Sequence, residues 1–279
     1  MIIYFDTNVF DHLEQRNGVT DWDVFRLKRA IKMEHLQLIL SFLNIEEILF
    51  MAESKPERAM AQLKLIFELA DKRLFVRGQD EIVRNDIRAY AQQKPPKTPF
   101  TFLTPDMESY FLNLMDSPAH HREDFDHIVG ATRDAKNIFL KRNLKSLKKL
   151  RPMAAAIGVK RYTFPRYLVD NSGWVLEGLA KRAGALSGVK RRGIRGLLKV
   201  NSVAVAVGAH LSLLYAHHFD GHAPSSGDSR DTLHPILASK GQVFVTNDGK
   251  LELILSRIQT DDFQVMNLRT LLDGLPRWV

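Results

Sequence analysis

Residues 2–10 read IIYFDTNVF. Four apolar side chains, Ile2–Phe5, make a short buried-strand signature that stops on Asp6, with Asn8 two places further on. The pattern returns near the other end of the chain as VFVTNDGKL (243–251), where β-branched and aromatic Val243–Val245 run into Thr246, Asn247 and Asp248. A second strand is expected at Leu36–Leu40, closed by Ser41. The helical pattern that follows, from Phe42 to about Met51, carries Glu47 about one turn in. Asp231 heads the helical stretch Thr232–Ser239, just upstream of the Val243–Val245 strand. Open parallel sheets bind ligands beyond the carboxyl ends of their strands. Four acids, Asp6, Glu47, Asp231 and Asp248, are therefore expected at one edge of one sheet.

Working outward, Glu57–Ala70 places Ala61, Leu65 and Leu69 at helical spacing, Leu74–Val76 reads as a weak third strand, and Gln79–Tyr90 reads as a helix. From 94 to 227 strand signals are few. Asp106–Met115 is helical behind Pro105. In Phe125–Leu150 the spacing puts Leu140, Leu144 and Leu147 on one stripe and Lys141, Lys145 and Lys148 on the next, so the leucines are expected to bury beneath a basic ridge. Gly184, Gly188, Gly193 and Gly196 divide Lys181–Lys199 into a turn-rich segment, and Phe263–Met266 is a last strand. The expected fold class is α/β, in two parts (1–93 and 228–279) interrupted by a long, mainly helical, basic insertion or lobe (94–227).

The chain has 279 residues, 45% of them apolar, enough to build a sizeable core. It has no cysteine, which excludes disulfides, thiolate nucleophiles and cysteine-ligated zinc and fits a reducing, cytoplasmic setting. Met1 leads straight into a strand containing Asp6, so no secretory leader is expected. The longest mostly apolar run, Val203–Ala216, contains His210 and is too short to span a bilayer. No membrane partner is expected.

The net charge of +8 is uneven. Thr132 to Lys199 carries eighteen Lys and Arg against three acids, a local +15, which leaves −7 for the rest. A basic middle on an acidic body calls for a polyanion, and nucleic acid is the commonest. Lys141, Lys145 and Lys148, with the glycine-punctuated Lys190, Arg191, Arg192 and Arg195, are the candidates for holding a phosphate backbone.

Four carboxylates at one edge are costly: at 4 Å and an effective dielectric near 20, each pair repels by about 4 kcal/mol. A cation relieves this. An all-oxygen set without histidine suits Mg²⁺ or Mn²⁺, with Asn8 and Thr246 holding the carboxylates in place. The histidines at 217, 218 and 222 read as surface or core residues, since adjacent helical histidines diverge.

The segments IIYFDTNVF (2–10), SFLNIEEIL (41–49), DTLHPILAS (231–239) and VFVTNDGKL (243–251) resemble, in this order, the four motifs of the PIN-domain nucleases, a family that includes the toxin ribonucleases of bacterial toxin–antitoxin pairs. The resemblance covers residues 1–90 and 228–275 and leaves the basic middle unmatched. It implies a twisted parallel sheet flanked by helices and metal-dependent hydrolysis of RNA. It assigns the ligand and catalytic roles to Asp6, Glu47 (Glu46 as second choice), Asp231 and Asp248, with Asn8 and Thr246 as companions. It further implies a homodimer and an antitoxin-like protein inhibitor. Pro235 is a departure, lying four residues into the helix that Asp231 is expected to open. The competing expectations are a DNA-directed nuclease, or a non-catalytic nucleic-acid-binding or scaffold protein that keeps the fold.

Overall fold

The structure, a computed structural model, describes residues 1–70, 74–76, 78–116, 121–157 and 162–275, apart from the side chains of 146–157 and 229. Six strands, β1 (Ile2–Phe5), β2 (Gln37–Ser41), β3 (Leu74–Val76), β4 (Phe100–Phe102), β5 (Val243–Val245) and β6 (Gln264–Met266), form one sheet in the order β4-β3-β2-β1-β5-β6. Every neighbouring pair is parallel except β3 and β4. The chain steps outward from β1 to β4 and then returns to β5 on the other side of β1. Strand order thus reverses between β1 and β5, which opens a crevice beyond their carboxyl ends. Ile3 sits in register with both Leu38 and Val243, so β1 is flanked by a strand on each side.

The period-2 alternation of the strands sorts the core. Ile3, Phe5, Leu38, Leu40, Val243 and Val245 face one side. There they pack with α1 (Thr7–Gln15), α2 (Asp21–Lys32), α3 (Phe42–Ala52), α4 (Pro56–Leu69), α6 (Pro105–Asp116) and α14 (Leu268–Gly274). Tyr4, Ile39, Val76, Phe244 and Val265 face the other, against α5 (Gln79–Gln92), α10 (Asn201–His218), α12 (His234–Ala238) and α13 (Gly249–Ser256). Outside α5 and α10 lies a further layer, made of α8 (Phe164–Arg182), α9 (Leu186–Arg192) and a 3₁₀ turn at Ile194–Lys199. Helix α10 is buried nearly all round, as its run of Val, Ala and Leu requires. Residues 94–227 therefore supply core to both faces of the sheet, through α6 and α10. No helix among the described residues is long and apolar enough to cross a membrane.

Three expectations need correction. Strand β4 has no counterpart in the sequence reading, because two of its three residues are exposed and it pairs only at the sheet edge. The glycine-divided stretch is mostly ordered helix, with Gly184 (φ +68°) and Gly193 (φ +87°) supplying the left-handed backbone between its helices. The third concerns α7 (Arg122–Ile157), which lies along α3, with Arg133 paired to Glu53 and the Lys136 ammonium 4.3 Å from the centre of the Phe50 ring. Its inward stripe is Val129, Thr132, Lys136, Phe139 and Asn143, while Leu140 is half-buried and Leu144 exposed. The helical period is as expected but its phase is displaced by one residue. Lys141 and Lys145 are exposed as expected, and Leu147 and Lys148 fall outside the described side chains.

Close packing of α10 gives a test of this architecture. A Cβ on Gly208 would lie 2.7 Å from Cγ2 of Ile258, a stiff β-branched side chain. Helix propensity alone would make Gly208→Ala stabilising by about 1 kcal/mol, but overpacking costs about 1–3 kcal/mol. Urea unfolding should show the variant destabilised, and in an Ile258→Ala background the same change should become neutral or stabilising. A stabilised single variant would contradict this packing.

Candidate metal centre

Each side chain of the centre is placed by the end of a regular element. Asp6 directly follows β1. Its N–H donates to the Val245 carbonyl (2.9 Å), and its carboxylate makes no capping bond of the usual kind to α1. Ser41 both ends β2 and caps α3 in a reciprocal box with Asn44. That fixes the start of α3 and so the position of Glu47. His234 opens α12, with Pro235 in the first turn, where proline's missing N–H is tolerated. Asp231 closes a separate single turn, α11 (Asp228–Asp231), instead of heading a helix, so Pro235 interrupts nothing.

Asp6, Glu47 and His234 come together with one ligand atom each, all within 4.8 Å of one another. His234 Nε2 is 3.1 Å from Glu47 Oε2 and 3.6 Å from Asp6 Oδ1. On the far side of the ring, Nδ1 is 2.8 Å from the Tyr4 hydroxyl, which is 2.7 Å from Ser41 Oγ. The chain continues to Asn44 Oδ1 (3.0 Å), while Asn44 Nδ2 donates to the Phe5 carbonyl (3.0 Å). Since that carbonyl can only accept, the Asn44 amide is oriented with its oxygen toward Ser41. Ser41 can then donate to Asn44, Tyr4 to Ser41, and His234 Nδ1–H to Tyr4, leaving Nε2 directed at the carboxylates. A ligating imidazole is commonly fixed in this way by its other nitrogen.

Thr246 completes the seam. Its hydroxyl donates to Asp6 Oδ2 (2.8 Å) and accepts from Asn8 Nδ2 (3.3 Å) and the Asp248 N–H (3.1 Å). Asn8 Oδ1 in turn accepts from the Asn247 N–H (3.1 Å). Asp248 is at the same strand end but outside the cluster, its Oδ1 accepting from the N–H groups of Lys250 (2.8 Å) and Leu251 (3.0 Å) as the cap of α13. Glu46 points elsewhere, to Arg230 (2.7 Å), whose other nitrogen donates to Thr132 of α7 (2.8 Å).

The electrostatics separate the acids. Burial pushes Asp6 up against the counteracting pull of His234, with Glu47 adding to the rise. Burial also acts on Glu47, but His234, the Thr7 hydroxyl and Arg230 overcome it and hold the carboxyl down at about 2. Among the described residues Asp231 forms no salt bridge; burial and the charges of Asp6, Asp228 and Glu47 outweigh His234 and push it up to about 7. His234 is raised despite its burial, by Glu47, Asp6 and Asp231. Three residues before Asp231, Asp228 has the opposite outcome. Burial is outweighed by hydrogen bonds from His217 (2.8 Å), Ser225 and Lys250 (3.0 Å), which lower it. His217 is thereby engaged in a structural pair.

The structure thus brings Asp6 and Glu47 together, puts Asp231 close enough to be repelled by both, and leaves Asp248 to cap. His234 is the residue the sequence reading omitted, although it stands in the quoted DTLH segment one helical turn after Asp231. The donor set is accordingly mixed and not all oxygen: the carboxylates suit Mg²⁺ or Mn²⁺, while the imidazole also admits later divalent ions such as Fe²⁺ and Zn²⁺. Of the basic candidates, Lys190 is paired with Glu177 (2.8 Å) and the Arg192 guanidinium lies 4.8 Å from the Tyr90 ring centre, while Arg191 and Arg195 are exposed. Comparison with family models, curated proteins and solved structures finds no match to this chain.

Asp231 makes the charge crowding measurable. With its folded pKa near 7 and an unfolded value near 3.9, the native protein holds a proton that the unfolded chain releases between those limits. Stability contributed by this group therefore falls as pH rises from about 4 to 7. Asp231→Asn should be indistinguishable from the parent near pH 4 in metal-free buffer and more stable above pH 7, by an amount on the order of 2–4 kcal/mol. Asp228→Asn should do the reverse. Its carboxylate stabilises above the unfolded pKa, so the variant should lose about 3 kcal/mol at pH 7 and converge on the parent as pH falls below about 4. Denaturant midpoints followed from about pH 8 down to about pH 2 check both signs.

Proposed function

We propose that the chain is a metal-dependent endoribonuclease of PIN type. Asp6, Glu47 and His234 hold Mn²⁺ or Mg²⁺, and Asp231 lies beside them. The observation that carries this reading is the convergence, at the strand-order reversal, of Asp6, Glu47 and His234, a buried and a part-buried carboxylate and a buried imidazole with ligand atoms within 4.8 Å of one another. Buried like charges are destabilising unless a cation joins them. The parallel sheet and the order of the four motifs support the family reading, and the basic middle supports a nucleic-acid substrate.

A divalent ion bound there supplies an activated water at neutral pH and neutralises charge on the phosphate. The chain's own residues do the rest. Thr246 holds Asp6 by Oδ2, the oxygen opposite the one that approaches His234. Tyr4 takes Nδ1 of His234 and so directs Nε2 inward. Lys136 and Arg230 bring positive charge beside Glu47 and Asp231, where a phosphate would approach. Asp231 adds a further carboxylate beside Asp6 and Glu47. Attack by water requires no neighbouring 2′-hydroxyl and leaves a 5′-phosphate and a 3′-hydroxyl.

End-labelled single-stranded RNA should be cut by the purified protein with Mn²⁺, less efficiently with Mg²⁺, and not with EDTA; single-stranded DNA in parallel defines the sugar preference. Asp6→Asn should remain folded and lose more than the ~100-fold expected for an outer partner such as Tyr4→Phe. Full metal-dependent cleavage by Asp6→Asn, or cleavage that survives EDTA, would overturn the proposal. Calorimetry should also show tight Mn²⁺ binding to the parent that Tyr4→Phe weakens about 10–100-fold.

A further inference from the structure

Beside the carboxylate cluster two cavities run together. The first, about 950 Å³, lies between α3, the start of α5 and α7, and reaches Glu46 and Arg230, the chain neighbours of Glu47 and Asp231. The second, about 690 Å³, continues it between α5, α7, α8 and α10. Asp80, Arg84 and Leu233 line both, so the two join into one groove that crosses α5; its near end stops at Glu46 and Arg230, and Asp6, Glu47, Asp231 and His234 do not line it.

Its far half has a distinctive chemistry. Arg84 from α5, Arg142 from α7, and Lys181 and Arg182 from α8 line it, against one acid, Asp80. Among the described residues none of these four cations forms a salt bridge, whereas Lys190, Arg133, Arg230 and Arg257 each do. Four unpaired cations drawn from three helices repel one another around a space that an anion would fill. Trp174 stands at the same wall, 55% exposed. Its Nε1 donates to Asn171 Oδ1 (3.3 Å), and its ring meets His210 edge-on at 6.2 Å, so a flat aromatic face is held in place beside the cations. An aromatic platform among phosphate-binding side chains is how a single strand is gripped without regard to sequence. A volume near 690 Å³ is in the range of sites that enclose a small ligand, such as one nucleotide unit of a longer strand.

We infer that this groove carries a single-stranded nucleic acid away from the carboxylate cluster, with Arg84, Arg142, Lys181 and Arg182 on its phosphates and a base stacked on Trp174. The direction of the strand rests on the cluster being the nuclease centre; the groove's affinity for it does not. Most of the basic residues prominent in the sequence lie outside the track, which takes only Arg142 from the Lys141–Lys145 stretch.

The test is binding of the full chain, in EDTA, to a fluorescent single-stranded RNA of about 12 nucleotides, read by anisotropy across a salt series. Arg142→Gln/Arg182→Gln should bind about tenfold more weakly and lower the log–log salt slope by about 1.4, since each phosphate contact contributes about 0.7. Trp174→Ala should lose about tenfold with its slope unchanged, because stacking releases no counterions. Lys32→Gln, on α2, should match the parent. Unchanged affinity and slope in the double arginine variant would overturn the inference. So would duplex RNA binding as well as the single strand, or adenosine monophosphate competing as strongly as the oligonucleotide, which would indicate a free-nucleotide pocket. Cleavage plays no part in this readout, so an inactive protein with these binding differences would refute only the nuclease reading. An active one without them would refute only the groove.

Discussion

The parallel pairing of β1 with β5 is the constraint on which the site depends. It joins the first strand of the chain to one laid down more than 230 residues later, and the Asp6 N–H to Val245 carbonyl bond extends the ladder one residue past the strand ends. Beyond that point Thr246 has only one place for its hydroxyl proton, the Asp6 carboxylate, because Asn8 and the Asp248 N–H already donate to its oxygen. The acid is thus held by the seam that joins the two ends of the fold. A one-residue register slip between β1 and β5 would move Asp6 and Thr246 to opposite faces and dissolve the seam that holds the acid.

The two buried acids of α11 and its neighbourhood show how function separates from structure. Asp228 is fully buried and satisfied by His217, Ser225 and Lys250, an arrangement that lowers its pKa and stabilises the fold. Asp231, one turn on, is surrounded by Asp6, Glu47 and Asp228 and is raised. An acid selected for stability alone would acquire the partners that Asp228 has. The three acids around one imidazole raise the pKa of His234, and a divalent cation bound there would relieve the same crowding with two positive charges.

Much of this was legible in the sequence. Short apolar runs ending in polar residues located β1, β2, β3, β5 and β6 to within a residue or two, and the rule that ligands sit at the carboxyl ends of parallel strands singled out Asp6 and Glu47. Chemistry that depends on tertiary approach was not legible. In the sequence His234 is a single histidine at the head of an apolar stretch, and only the fold shows its Nε2 meeting Glu47. Tyr4 looks like any inward strand residue, its hydroxyl role visible only once Ser41 is 2.7 Å away. Asp248 carried the right type and place, but two adjacent backbone N–H groups took its Oδ1 as a helix cap, a local competition that the strand-end rule does not rank.

The displaced phase of α7 binds these threads together. A helix docked only for stability would turn its leucines inward, and Leu140 and Leu144 lie one residue from doing so. Instead Thr132 and Lys136 occupy the inward stripe, where Thr132 receives Arg230 and Lys136 stands within reach of the charges on Glu47 and Asp231. Burial lowers the Lys136 pKa, and that cost is met only in part by the nearby carboxylates. Exchanging a leucine contact for a half-buried ammonium is unfavourable as packing and intelligible as electrostatics. It places α7 in contact with the acidic cluster while Arg142, further along the same helix, lines the groove beside it. One helix of the basic middle therefore adjoins both the candidate chemistry and the candidate strand path, and its inward stripe combines apolar Val129 and Phe139 with Thr132 and Lys136.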